Sequence, residues 1–287
     1  MRAIGYYNGE AGDLQDMRIP MHDRAMFFGD GVYDFVFGYN GILFALEDHI
    51  DRFYRSMELM RIRPYCDRET LHEEIRRCMD LAGLQEGEGF QLYLQSSRGN
   101  CPRNHIFPKE GVPSTLLMTV KPFKDPNFRD PLKLVTVEDT RFFHCNIKTL
   151  NLIPNVMAAQ KAEEAGCQEA VFHRGDNVTE CAHSALVILK DGVLTAPPLN
   201  ELILPSISRA HVMDICREEG IPTDVRTFTL AELMDADEII VLSTSKLIAR
   251  ADTVDGMPAG MKDGNTFGRI RQKYFDRVRQ ETGYSLG

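Results

Sequence analysis

The 287-residue sequence predicts a mixed α/β chain, either two domains or one large α/β unit, on three observations. Apolar residues recur at helical spacing in some stretches and alternate with period two in others. An aperiodic, proline-rich segment interrupts the chain near its middle. Beyond that segment the strand signal grows, and two helices interrupt it.

Taken in order, Asp23-Arg-Ala-Met-Phe-Phe-Gly29-Asp30-Gly31-Val-Tyr33-Asp34 holds a G-x-G, and Val32 to Phe37 is strand-like. A dinucleotide-binding turn needs a third glycine and a helix at this point, so that reading fails. After the Tyr39-Asn40-Gly41 turn, Gly41-Ile-Leu-Phe-Ala-Leu46 predicts a short strand. Ile50, Phe53, Tyr54, Met57 and Met60 then predict an amphipathic helix. Leu71, Ile75, Cys78, Met79 and Ala82 mark a second helix, ending at Gly83, where a left-handed cap fits. Phe90 to Ser97 alternates as a half-buried strand and leads into a loop from Arg98 to Pro108.

Residues 121–132 hold three prolines among charged residues and lack periodicity, which predicts an interdomain linker. Residues 1–120 would form an N-terminal α/β domain and residues 133–287 a C-terminal domain. In the second half, helices are predicted after Pro154 (Asn155 to Gly166) and after Ser208 (Arg209 to Gly220, stopped by Ile221-Pro222). Ala185 to Lys190, the Asp191-Gly192 dipeptide and Val193 to Ala196 predict a tight hairpin. Ile239 to Leu242 predicts a further strand.

Composition narrows the function. With 26% charged and 43% hydrophobic residues, the chain has ordinary globular composition rather than that of a disordered or collagen-like protein. Its net charge of −9, with no basic cluster standing out, argues against nucleic acid as a partner. Seven cysteines without C-x-x-C spacing predict reduced thiols and a cytoplasmic setting. Neither a signal-like apolar run nor a membrane-length one occurs, and the eight histidines make no ligand motif, so no membrane span and no metal are expected.

Three features could carry chemistry. Lys148 lies in the apolar run Ile147 to Pro154, and burial disfavours a lysine's charged form, as Schiff-base chemistry needs; an edge-strand lysine snorkelling to solvent is the plainer alternative. Glu180 precedes an apolar strand, where a carboxylate could pair with a protonated pyridine nitrogen or simply occupy a turn. Ser206 and Ser208 open a helix, and Ser243-Thr244-Ser245 follows a strand. A helix start binds phosphate through its free amides, although N-capping fits Ser208 equally well.

In combination the order becomes specific. D-R-x-x-x-x-G-D-G-V-Y, then H-I-D-R, the lysine of I-K-T-L-N, V-T-E and I-S-R resemble the fold-type IV, or class IV, pyridoxal 5'-phosphate (PLP) aminotransferases, from about Asp23 to the Phe267-Gly-Arg-Ile-Arg region. The pattern is most like that of the D-amino-acid aminotransferases. The resemblance implies a small N-terminal α/β domain, a larger C-terminal pseudo-barrel domain and transamination between a D-amino acid and a 2-oxo acid. An aminodeoxychorismate lyase, a branched-chain L-amino-acid aminotransferase and a catalytically silent PLP-binding protein are the alternatives.

By the same resemblance, Lys148 forms the internal aldimine, Glu180 meets the pyridine nitrogen, and Arg52 clamps the cofactor phosphate. Ile207, Ser208, Thr244 and Ser245 fall on the other phosphate positions, and Leu204 packs on the ring. Tyr33 lines the substrate side, and Arg103 and His105, in a P-R-x-H loop, trap the substrate carboxylate across a homodimer boundary. Cys181-Ala182-His183-Ser184-Ala185 departs from the family pattern, which has a glycine, small hydroxyl residues and an asparagine here.

Overall fold

A computed structural model describes residues 1–123 and 131–286. The expected linker of residues 121–132 lies mostly outside them, at 124–130. The chain divides into two compact units.

The first unit comprises the described residues up to 123 together with 147–151 and 278–286. Its strands are β1 (Ile4–Tyr7), β2 (Glu10–Asp13), β3 (Gly31–Tyr39), β4 (Ile42–Leu43), β5 (Gly89–Ser97) and β6 (Thr115–Pro122). Among the described residues they form one antiparallel sheet in the order β2-β1-β6-β5-β3-β4. Three helices accompany it, α1 (Arg24–Phe28), α2 (Leu46–Leu59) and α3 (Arg68–Ala82). The apolar faces read from the sequence are the buried ones: Ile50, Phe53 and Met57 of α2 and Leu71, Ile75 and Cys78 of α3 share a core with Leu92, Leu94 and Met118. The Asp67 side chain accepts the Thr70 amide at the start of α3, and Gly83 closes it in the left-handed region at φ 64°.

The strand expected from Gly41 to Leu46 shrinks to the two residues of β4. Ala45 takes a left-handed φ of 52° and Leu46 begins α2, so Phe44 and Ala45 are buried in a turn rather than along a sheet.

The second unit comprises the described residues 131–146 and 152–277. It holds β7 (Leu132–Glu138), α4 (Ile153–Glu164), β8 (Glu169–Arg174), β9 (Asn177–Cys181), β10 (Ala185–Lys190), β11 (Val193–Ala196), α5 (Ile207–Glu218), β12 (Thr223–Val225), α6 (Leu230–Asp235), β13 (Glu238–Ser243), β14 (Leu247–Val254), β15 (Met257–Pro258) and most of α7 (Gly264–Thr282). Its sheet runs β12-β11-β10-β13-β14-β7-β8-β9, with β15 on β14.

This sheet curls until its ends meet. The Val178 amide of β9 donates to the Phe228 carbonyl, just past β12, and the Leu230 amide donates to Asp176, each at 2.9 Å. One alternate face of the strands fills the inside with Leu186, Ile188, Ile239 and Val241, and Phe228 plugs it. The Asp191-Gly192 hairpin forms as expected, with both residues at positive φ.

Two helix starts move by two residues each. α4 begins at Ile153, taking Pro154 into its first turn, where no amide proton is needed. α5 begins at Ile207, and its N-cap is Ser206, whose hydroxyl accepts the Arg209 amide; Ser208 lies inside the helix. α7 carries Phe267, Ile270, Tyr274 and Val278 at helical spacing, all buried.

Candidate active site

Within the first unit, Lys148 rides on a short extended segment docked against the start of β3. The Tyr33 amide donates to the Lys148 carbonyl at 2.9 Å, and the Leu150 amide donates to Gly31 at 3.0 Å. From the other side, the Ser56 hydroxyl of α2 accepts the Lys148 amide. The two glycines of the G-x-G make room for this segment. A Cβ on Gly31 would lie 2.5 Å from the Ser96 carbonyl oxygen and 2.8 Å from Leu150, while Gly29, at φ 60°, offers its carbonyl to Asn151. Ile147 and Thr149 are buried, and the half-buried Lys148 places its Nζ 4.3 Å from the centre of the Tyr33 ring. Tyr33 in turn stacks on Tyr93.

Arg52 does not stand alone on α2. Its Nε and Nη2 fork onto the carboxylate of Asp34 at 2.8 and 2.7 Å, and His49 Nδ1 meets the same carboxylate at 2.7 Å. Asp34 is wholly buried. Burial alone would raise its pKa, yet Arg52 and then His49 hold it well below the usual carboxylate range. Burial pushes the His49 pKa down, against the pull of Asp34.

Arg103 and His105 both lie exposed on the loop after β5. Each approaches the ring of Phe28, at 5.0 and 5.1 Å from its centre. Arg24 Nη1 pins that loop by donating to the Asn104 carbonyl at 2.6 Å. No hydrogen bond or ring contact among the described residues joins Arg103 or His105 to Tyr33 or Lys148.

Within the second unit, Glu180 on β9 is a buried carboxylate. Arg141 Nη1 donates to its Oε1, and the Leu204 amide donates to its Oε2 at 3.2 Å. Arg141 also forks onto Asp139 through Nε and Nη2, both at 2.9 Å, with its guanidinium over the Phe172 ring. Burial opposes charge on Arg141, but Asp139 and Glu180 outweigh it and raise its pKa. The structure thus brings Glu180 and Leu204 together. It places Ile207 and Ser208 in the first turn of α5, where no helical carbonyl precedes their amides. Ser208 Oγ accepts from the Tyr274 hydroxyl at 3.2 Å. Thr244 and Ser245 form the turn from β13 to β14, and α5 packs on β13.

Sequence reading missed Asp34, Asp139 and Arg141. For Asp34 a signal existed, since His49 and Arg52 lie three apart on one helix face and ask for a shared anion. Asp139 and Arg141 sit in an aperiodic stretch that carries no comparable signal. Among the described residues no cluster of side chains could hold a metal ion. No described helix is long and apolar enough to cross a membrane.

The model of the amino-transferase class IV family matches residues 31–254. The chain belongs to the class IV aminotransferases. This class IV enzyme is 35% identical to the D-alanine aminotransferase of Staphylococcus haemolyticus over 257 residues, covering 89% of this chain and 90% of that one. It is 35% identical to that of Listeria monocytogenes over 283 residues, 96% of each chain. Its fold matches the branched-chain amino acid aminotransferase of Escherichia coli with a TM-score of 0.88 at 21% identity, covering 100% of this chain and 96% of that one. A hypothetical aminotransferase from Mycobacterium tuberculosis, in its PLP-bound form, matches with a TM-score of 0.82 at 22% identity, covering 97% of this chain and 98% of that one. The class IV aminotransferase fold, with its curled sheet, is therefore that expected from the sequence. Class IV aminotransferases use PLP.

Proposed function

We propose that the chain transfers the amino group of a D-amino acid, D-alanine among them, to a 2-oxo acid, with PLP as cofactor. The single observation that carries this reading is the amine of Lys148, held on a docked segment over the ring of Tyr33. The two D-alanine aminotransferases at 35% identity favour the D-enantiomer.

The residues present suit PLP. Glu180, kept beside the permanent cation Arg141, offers an ionised acceptor for a pyridinium N–H. The first amides of α5, at Ile207 and Ser208, suit a phosphate dianion, and the hydroxyls of Ser208, Thr244 and Ser245 add donors. Arg52, oriented by its fork on Asp34, suits a phosphate contact as well. Leu204 supplies apolar contact to the ring. When bound, PLP supplies the electron sink that lets a proton leave the amino acid Cα.

The chain's own groups do the rest. Lys148 Nζ would take the proton from the donor amino acid's Cα in one half-reaction and deliver a proton to the oxo acid's Cα in the other, a transfer that requires the amine in reach of one face only. Tyr33 donates a hydrogen bond to the substrate carboxylate without adding charge. Arg103 and His105 bind that carboxylate from the neighbouring subunit of a homodimer. Around their loop, Met21 and Ile106 are 86% and 72% exposed, an apolar surface suited to a second copy. The seven cysteines, all free, suit a cytoplasmic enzyme.

Borohydride reduction of the PLP-loaded protein, followed by peptide mass spectrometry, tests the reading. A phosphopyridoxyl group on Lys148 supports it; a label on another lysine, or none, overturns it.

A further inference from the structure

Directly after Glu180, the turn from β9 to β10 takes part in a closed ring of polar contacts within the second unit. At its centre is Glu169, the first residue of β8, whose side chain has 0% exposure. Its Oε1 lies 3.0 Å from His183 Nδ1. Its Oε2 accepts from Ser184 Oγ at 2.7 Å and from Lys246 Nζ at 3.1 Å. Lys246 Nζ and His183 Nε2, 2.6 Å apart, close the ring.

Donor and acceptor roles follow from the groups. A carboxylate only accepts and an ammonium only donates, so the ring closes with the His183 proton on Nδ1 and a lone pair on Nε2. The ring joins two turns. His183 and Ser184 belong to the turn from β9 to β10, directly after Glu180, and Lys246 belongs to the turn that carries Thr244 and Ser245. The second turn needs holding, because the buried Leu247 that ends it sits at a left-handed φ of 56°, which is unfavourable for a non-glycine residue. Lys246 is anchored there a second time, its amide donating to Ser243 Oγ at 3.0 Å.

We infer that Glu169, His183 and Lys246 are positioning residues that fix the Thr244-Ser245 turn relative to Glu180, and so set how tightly the cofactor is held. The inference rests on the proposed use of PLP. A salt-linked cluster that served stability alone would alter the melting temperature and leave cofactor affinity and its spectrum unchanged.

The test uses the full-length protein loaded with PLP, and compares wild type with H183A, H183Q, K246M and the H183A/K246M double variant. PLP affinity and the absorption maximum are measured alongside the melting temperature of the apoprotein. H183A and K246M should each weaken PLP binding about tenfold or more, the scale on which supporting residues act, and displace the absorption maximum. The double variant should be no weaker than either single one, because both cut the same ring. H183Q, whose amide has a donor nitrogen and an acceptor oxygen, should restore affinity to within about twofold of wild type. Wild-type affinity and spectrum in H183A and K246M, with only a lower melting temperature, would overturn the inference and leave the proposed function standing. A wild-type protein that binds no PLP would overturn both.

Discussion

Arg141 grips Asp139 through Nε and Nη2 and reaches Glu180 through Nη1, so one guanidinium holds two buried carboxylates. Arg141→Met keeps the length and removes the charge. Removing this shared cation should cost about 3–5 kcal/mol of stability, the usual penalty for breaking a buried pair, although Arg174 Nε stays 3.3 Å from Asp139. Chemical denaturation read by circular dichroism checks this, and a loss below about 1 kcal/mol, the scale of an exposed pair, would contradict it.

Much of the framework was legible because it is local. The alternation of Phe90 to Ser97, the Asp191-Gly192 turn and the Gly83 cap each depend on a few neighbouring residues, and each formed. The run Gly41 to Leu46 misled because an apolar strand and a buried turn into a helix have the same composition. The helix α7 was not among the predicted elements, although Phe267, Ile270, Tyr274 and Val278 recur at helical spacing. The candidate site was legible as separate residues in motif order. Most groups that orient them were not, because Arg141, Glu169 and Lys246 act across long sequence separations: Arg141 meets Glu180 39 positions away, and Lys246 meets Glu169 77 positions away.

Arg103 and His105 are exposed and lie against Phe28 without a buried partner of their own. Arg103→Leu should therefore change stability by less than about 0.5 kcal/mol. If the residue binds the substrate carboxylate, KM for the amino acid should rise about tenfold or more, the loss of one charge-assisted hydrogen bond. Steady-state kinetics decide it, and an unchanged KM would remove Arg103 from the substrate site.

Glu169 gives a signed pH prediction. Burial would raise its pKa, but the hydrogen bond with His183 and the charge of Lys246 lower it from 4.5 to about 2. A carboxyl depressed on folding contributes stability that is present above its unfolded pKa and is lost as pH falls through the folded one. Between pH 4.5 and about 2 this group should withdraw on the order of 3 kcal/mol. Asp34, also depressed by its partners, adds to the acid lability. Denaturation midpoints measured across that range should fall steeply in wild type and more shallowly in E169Q; parallel slopes would contradict the assignment.

The central claim is that Lys148, Glu180 and the α5 start serve PLP in a reaction on D-amino acids. Its most direct test is the visible absorption spectrum of the PLP-loaded protein, recorded before and after D-alanine and, separately, L-leucine, with no oxo acid present. Loss of the yellow band with D-alanine alone is the predicted result. Loss with L-leucine alone, or a band that neither amino acid changes, would contradict it.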